Sequence, residues 1–211
     1  MIMEKTIRKY AGAYKKTLEE RRIPDAAQKA VSYKNRLTKM YASEIYKQHN
    51  IYPAMNVPLI YAVIAMCLEL KGYGLSDSEI MAFTDDVFKS RKKGFEVLLK
   101  IIDILPNSYR IAEKWNLSDH EKRVRDGSIT YDVFEVSTGK IEYCISECMY
   151  VKMFEYYGIR RLCKIFCITD EHAYANLSKH VKFVRHSDLS DGPCCHDEIF
   201  DRQVRQDGKG K

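Results

Sequence analysis

The chain has 211 residues, of which 45% are hydrophobic and 30% charged, an ordinary globular composition with enough apolar material for one good-sized domain or a domain with a helical extension. The formal net charge of +6 is modest, and the densest basic clusters, RKYAGAYKK and SRKKGF, read as solvated helix faces with no arginine-rich arm, zinc-finger spacing or RNP-like motif beside them, so nucleic acid is not an expected partner. Seven cysteines, an odd number, behind a charged N-terminus without an apolar signal core point to free thiols and a cytoplasmic setting.

The first half reads as helical, up to about Trp115. Tyr33, Leu37, Met40, Tyr41 and Ile45 recur at spacings of three and four, the stripe of one amphipathic helix. The run VPLIYAVIAMCL, residues 57–68, is the most apolar. It is shorter than the ~20 residues a bilayer span requires, so it predicts a buried helix and no membrane partner. Asn56 stands where its N-cap belongs, Pro58 is tolerated in its first turn, and Gly72 and Gly74 stop it. Ser76 and Glu79 then form a capping box, with Leu75 and Ile80 at the positions of a hydrophobic staple. That helix carries Phe83, Val87 and Phe88 inward, and a further helical stretch, FEVLLKIIDIL, precedes Pro106.

SDHEKRVRDG reads as a charged connector, after which the period falls from 3.6 to 2. SITYDVFEV and KIEYCIS are strand-like runs separated by Ser137, Thr138 and Gly139, a hairpin signal. In the second run Ile141, Tyr143 and Ile145 share one face, and Glu142, Cys144 and Ser146 share the other. Two short helical patterns follow, ECMYVKMFEYYG closed by Gly158 and IRRLCKIFC, and Thr169 is placed to cap a third that contains Ala173 and Leu177. VKFVRH and CCHDEIF return as strands around a turn at Gly192 and Pro193, and the tail from Gln203 is expected to be disordered. The expected architecture is α+β: a helical N-terminal part, residues 1–116, packed on a small antiparallel sheet with inserted helices in residues 117–202, followed by the tail 203–211.

Several of these positions bear chemistry. Cys148 falls where a strand gives way to a helix, a place that favours the thiolate; the bland alternative is a small buried hydrophobe. Cys144 and Cys148 are four apart, as are Cys163 and Cys167, which is not the knuckle spacing of a zinc site. Cys167 and Asp170 sit at a helix end and the following cap, where the bland role for Asp170 is to satisfy backbone N–H groups. Alternation along the last strand puts Cys195, Asp197 and Ile199 on one face and Cys194, His196, Glu198 and Phe200 on the other. Cys195 and His196 therefore cannot form a local dyad, and any site would draw one of them together with groups from elsewhere, such as Cys148.

From Cys148 onward the pattern is a cysteine opening a helix, a glycine ten residues on, a cysteine nine later and an acid three further. A basic or aromatic strand, a glycine and a Cys-His-Asp element then follow. Cys148, Gly158, Cys167, Asp170, VKFVRH, Gly192 and CHDE occupy these places. In this the chain resembles the L-2-amino-thiazoline-4-carboxylic acid hydrolase family, and the segment PLIYAVIAMCLELKGYGLSDSEIM extends the likeness toward the N-terminus. Many members have Cys-Asp and an aromatic where this chain has CHDE. The resemblance implies hydrolytic opening of a cyclic amidine to an N-carbamoyl-cysteine product. A general acid, Asp170, His196 or Asp197, would protonate the ring nitrogen. Cys148 or Cys195 would be the nucleophile in a covalent version, with Cys167 in the same set. That reading needs no cofactor; in another version the thiols and His196 hold a divalent metal such as zinc or manganese that activates water. Arg160, Arg161 or Arg185 would hold the substrate carboxylate. The glycine and cysteine of the last strand also look like the 4-vinyl reductase type of ligand-binding domain, a small-molecule sensor without turnover.

Overall fold

In a computed structural model that describes residues 2–204, the chain is α+β, with helices and a small antiparallel sheet. It divides into two compact units. Among the described residues, one comprises 2–90 with 153–165, and the other 91–152 with 166–204.

The first unit is helical. It holds α1 (Ile2–Glu20), α2 (Ala26–Tyr41), the short α3 (Glu44–Gln48), α4 (Val57–Gly72) and the opening part of α5 (Asp77–Asp103). The VPLIYAVIAMCL run forms α4 as expected, and Ile60 through Cys67 are all buried. Around it Tyr14 stacks on Tyr33 at 4.7 Å, and Tyr33 donates a hydrogen bond to the Ala62 carbonyl at 3.1 Å. Pro58 lies in the first turn, but Asn56 makes no capping hydrogen bond with its side chain. The Ser76–Glu79 capping box forms in both directions, with Ser76 N–H donating to Glu79 at 2.8 Å and Glu79 N–H to Ser76 Oγ at 3.4 Å. The stripe ending at Ile45 does not run on one helix. α2 stops at Tyr41, and Ser43 caps α3 by accepting from Tyr46 N–H, so Ile45 belongs to a separate turn and Tyr46 takes the buried place.

The second unit carries the sheet. Its strands are β1 (Ile129–Ser137), β2 (Lys140–Cys148), β3 (Val181–Ser187) and β4 (Cys195–Asp201), in the order β1-β2-β4-β3 with every pairing antiparallel. The β1–β2 hairpin pairs Ser137 with Lys140, leaving Thr138 and Gly139 as the turn. Gly139 has φ +72°, and a side chain there would also meet Val204 at 2.9 Å, so the position favours glycine twice over. Alternation holds as predicted. Ile141 and Tyr143 of β2 and Cys195, Asp197 and Ile199 of β4 are buried, while Glu142, Cys144, His196, Glu198 and Phe200 face the other way and are only partly covered.

The buried face packs on Leu99 and Ile102 of α5, Tyr109 and Ala112 of α6 (Ser108–Arg125), and Leu177 and Val181. Fully burying side chains such as Ile141 and Ile199 contributes about 1.5–3 kcal/mol each. Two sequence expectations fail in this unit. SDHEKRVRDG is not a connector, because α6 continues through it to Arg125, helped by the i,i+4 pair of Asp119 and Arg123 at 3.1 Å. Nor does Thr169 cap a new helix. After α7 (Met149–Tyr156) and a 3₁₀ turn at Arg160–Cys163, a single helix α8 (Lys164–Ala175) runs through Thr169, whose hydroxyl donates back to the Phe166 carbonyl. Leu177 lies just beyond α8. Gly158, at φ +70°, follows α7 as the pattern required. Of the predicted disordered tail, Gln203 donates to the Pro106 carbonyl at 3.4 Å and lies 2.7 Å from His180 Nδ1, and residues 205–211 lie outside the described residues. Among the described residues no helix is long and apolar enough to cross a membrane.

Candidate active site

The covered face of β3 and β4 carries a charged pair. Antiparallel pairing sets Arg185 directly opposite Asp197, and both point toward α8. The guanidinium meets the carboxylate as a fork, Nε to Oδ1 and Nη2 to Oδ2, both at 2.8 Å. Asp197 is 1% exposed and the Arg185 side chain 10%. A charge pair this enclosed must be closely satisfied, and the rest of the guanidinium is. Its Nη1 donates to the Cys167 carbonyl at 2.7 Å and toward Glu171 at 3.4 Å, and its Nη2 reaches Asp170 at 3.5 Å. Arg185 thus ties β3 and β4 to α8 and stands as counter-charge to three acids.

Asp170 is, with Glu171, one of the two acids left open. Its side chain is 56% exposed, yet protein groups surround it closely enough to raise its carboxyl to about 6. Desolvation is the main cause; Asp197 and Asp119 add to it, and Arg185 opposes it. The aromatic groups of the same neighbourhood are Tyr131, Tyr143 and Tyr174. Burial holds all three phenols far above their ordinary range, and the Asp170 charge adds to each. Tyr174 stacks on Phe183 at 4.7 Å and accepts a hydrogen bond from Asn116 at 2.7 Å, which joins α8 to α6.

Three thiols border the same groups. Cys195, buried, donates to Asp197 Oδ2 at 3.5 Å, and burial followed by the Asp197 charge holds its thiol far above the usual range. Cys148 closes β2 immediately before α7. The backbone N–H groups of Val151 and Tyr150 pull its thiol down as a helix start should, but burial outweighs them and leaves it at about 11. Cys167, on α8, is near enough for its charge to act on both Cys148 and Cys195. At neutral pH the groups at Cys148 and Cys195 are therefore thiols.

Cys148, Cys167, Asp170, Arg185, Cys195 and Asp197 are accordingly placed in one unit, linked through Arg185, Asp197 and Cys167. His196 is not with them. It lies on the opposite sheet face, 3.0 Å from Glu142 and with its ring 4.7 Å from that of His186. Arg160 and Arg161 belong to the helical unit, where Arg160 pairs with Glu155 at 3.2 Å and Arg161 is exposed. Among the described residues no group of three or more His, Cys, Asp or Glu side chains is arranged to hold a metal ion. Asp170 is an interior residue of α8 rather than a cap, so its carboxylate is free of first-turn duty. Sequence reading passed over Asp119 and Arg123 of α6, and Tyr131 and Tyr174. The i,i+4 acid–base spacing of Asp119 and Arg123 was the available signal.

The model of the L-2-amino-thiazoline-4-carboxylic acid hydrolase family matches residues 77–197, more than half of the chain and every residue of the set described above. The chain belongs to this family. Comparison with curated proteins and with solved structures gave no match. The matched region begins with α5 and ends on Asp197, the carboxylate that Arg185 holds. Membership in a family named for a hydrolase gives the Asp170 carboxyl its chemical context.

Proposed function

We propose that the second unit hydrolyses a cyclic amidine of the 2-amino-thiazoline-4-carboxylate type to an N-carbamoyl-cysteine product, with Asp170 as the general acid–base. The observation that carries this reading is Asp170 itself, an open carboxyl raised to about 6 beside a buried Arg185–Asp197 pair. A group titrating near the working pH can both give and take a proton. Protonated Asp170 donates to the ring nitrogen, which makes the amidine carbon electrophilic. Water adds to that carbon, and the carboxylate takes up the proton that the water loses. The ring carbon–sulfur bond then breaks, the sulfur leaves and is protonated, and the carbon keeps its oxygen as a urea. Substrate and one water become one ureido thiol.

The raised thiols of Cys148 and Cys195 favour water over a cysteine as the nucleophile. Arg185 is a positioning residue in this scheme: it holds Asp197 and tempers Asp170. The substrate carboxylate falls to Arg123, whose charge reaches Tyr131 together with that of Asp170. Arg123→Met should then raise KM by about tenfold with kcat little changed.

The test is release of a new thiol from L-2-amino-thiazoline-4-carboxylate, followed with a colorimetric disulfide reagent and with product mass. Substrate-dependent thiol release that Asp170→Asn abolishes is the expected result. Binding of the ligand without any turnover would overturn the hydrolase reading and leave the small-molecule sensor in its place.

A further inference from the structure

The sheet face opposite the candidate active site holds a second set of thiols. Cys144 of β2 lies across from His196 of β4, so Cys194, two residues before His196, comes to the same side of the sheet. The two thiols are in side-chain hydrogen-bond contact, and Ser187 Oγ lies 3.6 Å from Cys194 Sγ. Both cysteines are only half-buried, unlike Cys67, Cys163 and Cys195, which are buried. We propose that Cys144 and Cys194 are a modification site, a dithiol that small disulfides of the glutathione type convert to an internal disulfide.

The steps balance by thiol–disulfide exchange. Burial holds the Cys144 thiol at about 11, so Cys194 attacks the small disulfide first, forms a mixed disulfide and releases one small thiol. The second cysteine attacks the protein sulfur of that mixed disulfide, closes the Cys144–Cys194 bond and releases the second small thiol. Protein loses two hydrogens, and one disulfide becomes two thiols. Closure requires the two β-carbons to approach to about 3.5–4.5 Å. Cys144 is fixed in the β2 ladder, but Cys194 precedes the first residue of β4 and follows the Gly192–Pro193 turn, so its backbone is the part able to adjust. No comparable freedom exists at Cys195, which is paired with Ile145.

The experiment uses the full chain, incubated with oxidised glutathione at mildly alkaline pH, quenched with an alkylating agent and mapped by mass spectrometry. Trypsin leaves Cys144 with Cys148 on one peptide and Cys194 with Cys195 on another, so fragment ions between the neighbouring cysteines and a set of serine variants make the assignment. We expect alkylation of both Cys144 and Cys194 to fall by at least about tenfold, with a cross-linked peptide bonded through these two sulfurs. The link should survive Cys148→Ser and vanish in Cys144→Ser. The proposal is overturned if both thiols stay alkylatable, if each carries its own mixed disulfide without closing, or if fragment ions place the bond on Cys148 or Cys195.

Discussion

The two faces of β4 are built from alternate residues of one seven-residue strand, yet they live in different physical regimes. On the covered face Asp197 is held by a fork from Arg185 with almost no solvent, beside Cys195 and Ile199. On the open face Glu198 meets Lys140 at 2.7 Å and His186 at 2.6 Å, and Lys140 also reaches Glu142 at 2.6 Å, with every partner in contact with water. Distances barely differ. What differs is the medium, and with it the consequence of losing a partner. An ion pair in water is worth about 0–1 kcal/mol, whereas stranding one member of a buried pair costs about 3–5 kcal/mol. The carboxyls record the same division: burial raises Asp170 on the covered side, whereas hydrogen-bonded partners lower Glu142 and Glu198 on the open face.

The sharpest way to break the comparison is Asp197→Ala. It leaves the Arg185 guanidinium enclosed and short of its main acceptor, with Asp170 and Glu171 too distant to replace two 2.8 Å bonds. Urea denaturation should show a loss of about 3–5 kcal/mol. A loss below about 1 kcal/mol would mean that water reaches the pair and that the two faces are alike.

Next in size is Asp170→Asn. If Asp170 supplies the proton, kcat should fall by at least about a hundredfold. The pH profile distinguishes this from a mere structural change. Asp170 must be protonated to act as the acid, so activity in the wild type should decline as pH rises through about 6, and that limb should disappear in the residual activity of the variant. A wild-type profile flat across that range would remove Asp170 from the chemistry.

Thiol reactivity gives a smaller contrast. Burial holds Cys148 at about 11 even with two backbone N–H groups directed at it, so a short iodoacetamide pulse at neutral pH should label it more slowly than a free model thiol by about a hundredfold. Labelling at the rate of an activated cysteine would bring back the covalent mechanism.

Much of this division was legible in the chain. The strict period of two in KIEYCIS and CHDEIF predicts which side chains share a face, because a strand has only two faces and one of them must be apolar. The capping box at Ser76 and Glu79 was equally plain, since it depends on residues three apart. What could not be read was non-local or ambiguous. Arg185 and Asp197 meet only because β3 and β4 pair in one register, so Arg185 read as a free cation for a substrate carboxylate. Thr169 looked like a cap because threonine suits both a cap and a helix interior when its hydroxyl can bond back to a carbonyl. The end of α6 is polar all round, which resembles a loop until Asp119 and Arg123 are seen as helical neighbours.

The open face yields the smallest expected effect. Lys140 is drawn to Glu142 and Glu198, and its ammonium is held above its usual range by hydrogen bonds to both, while Glu198 is held below the usual carboxylate range by Lys140 and His186. The sign for Glu198 follows from that depression. Its contribution is present above the ordinary carboxylate pKa and is lost as pH falls through its lowered one. Lys140→Met should therefore cost about 0–1 kcal/mol near neutral pH, less at low pH, and less again in concentrated salt, where exposed charges are screened. Urea denaturation at two pH values and two salt concentrations measures all of it. A cost as large as that of Asp197→Ala, insensitive to salt, would show that the open face is as closed to water as the other, and the contrast on which the proposed acid–base chemistry at the α8 side of the sheet rests would fail.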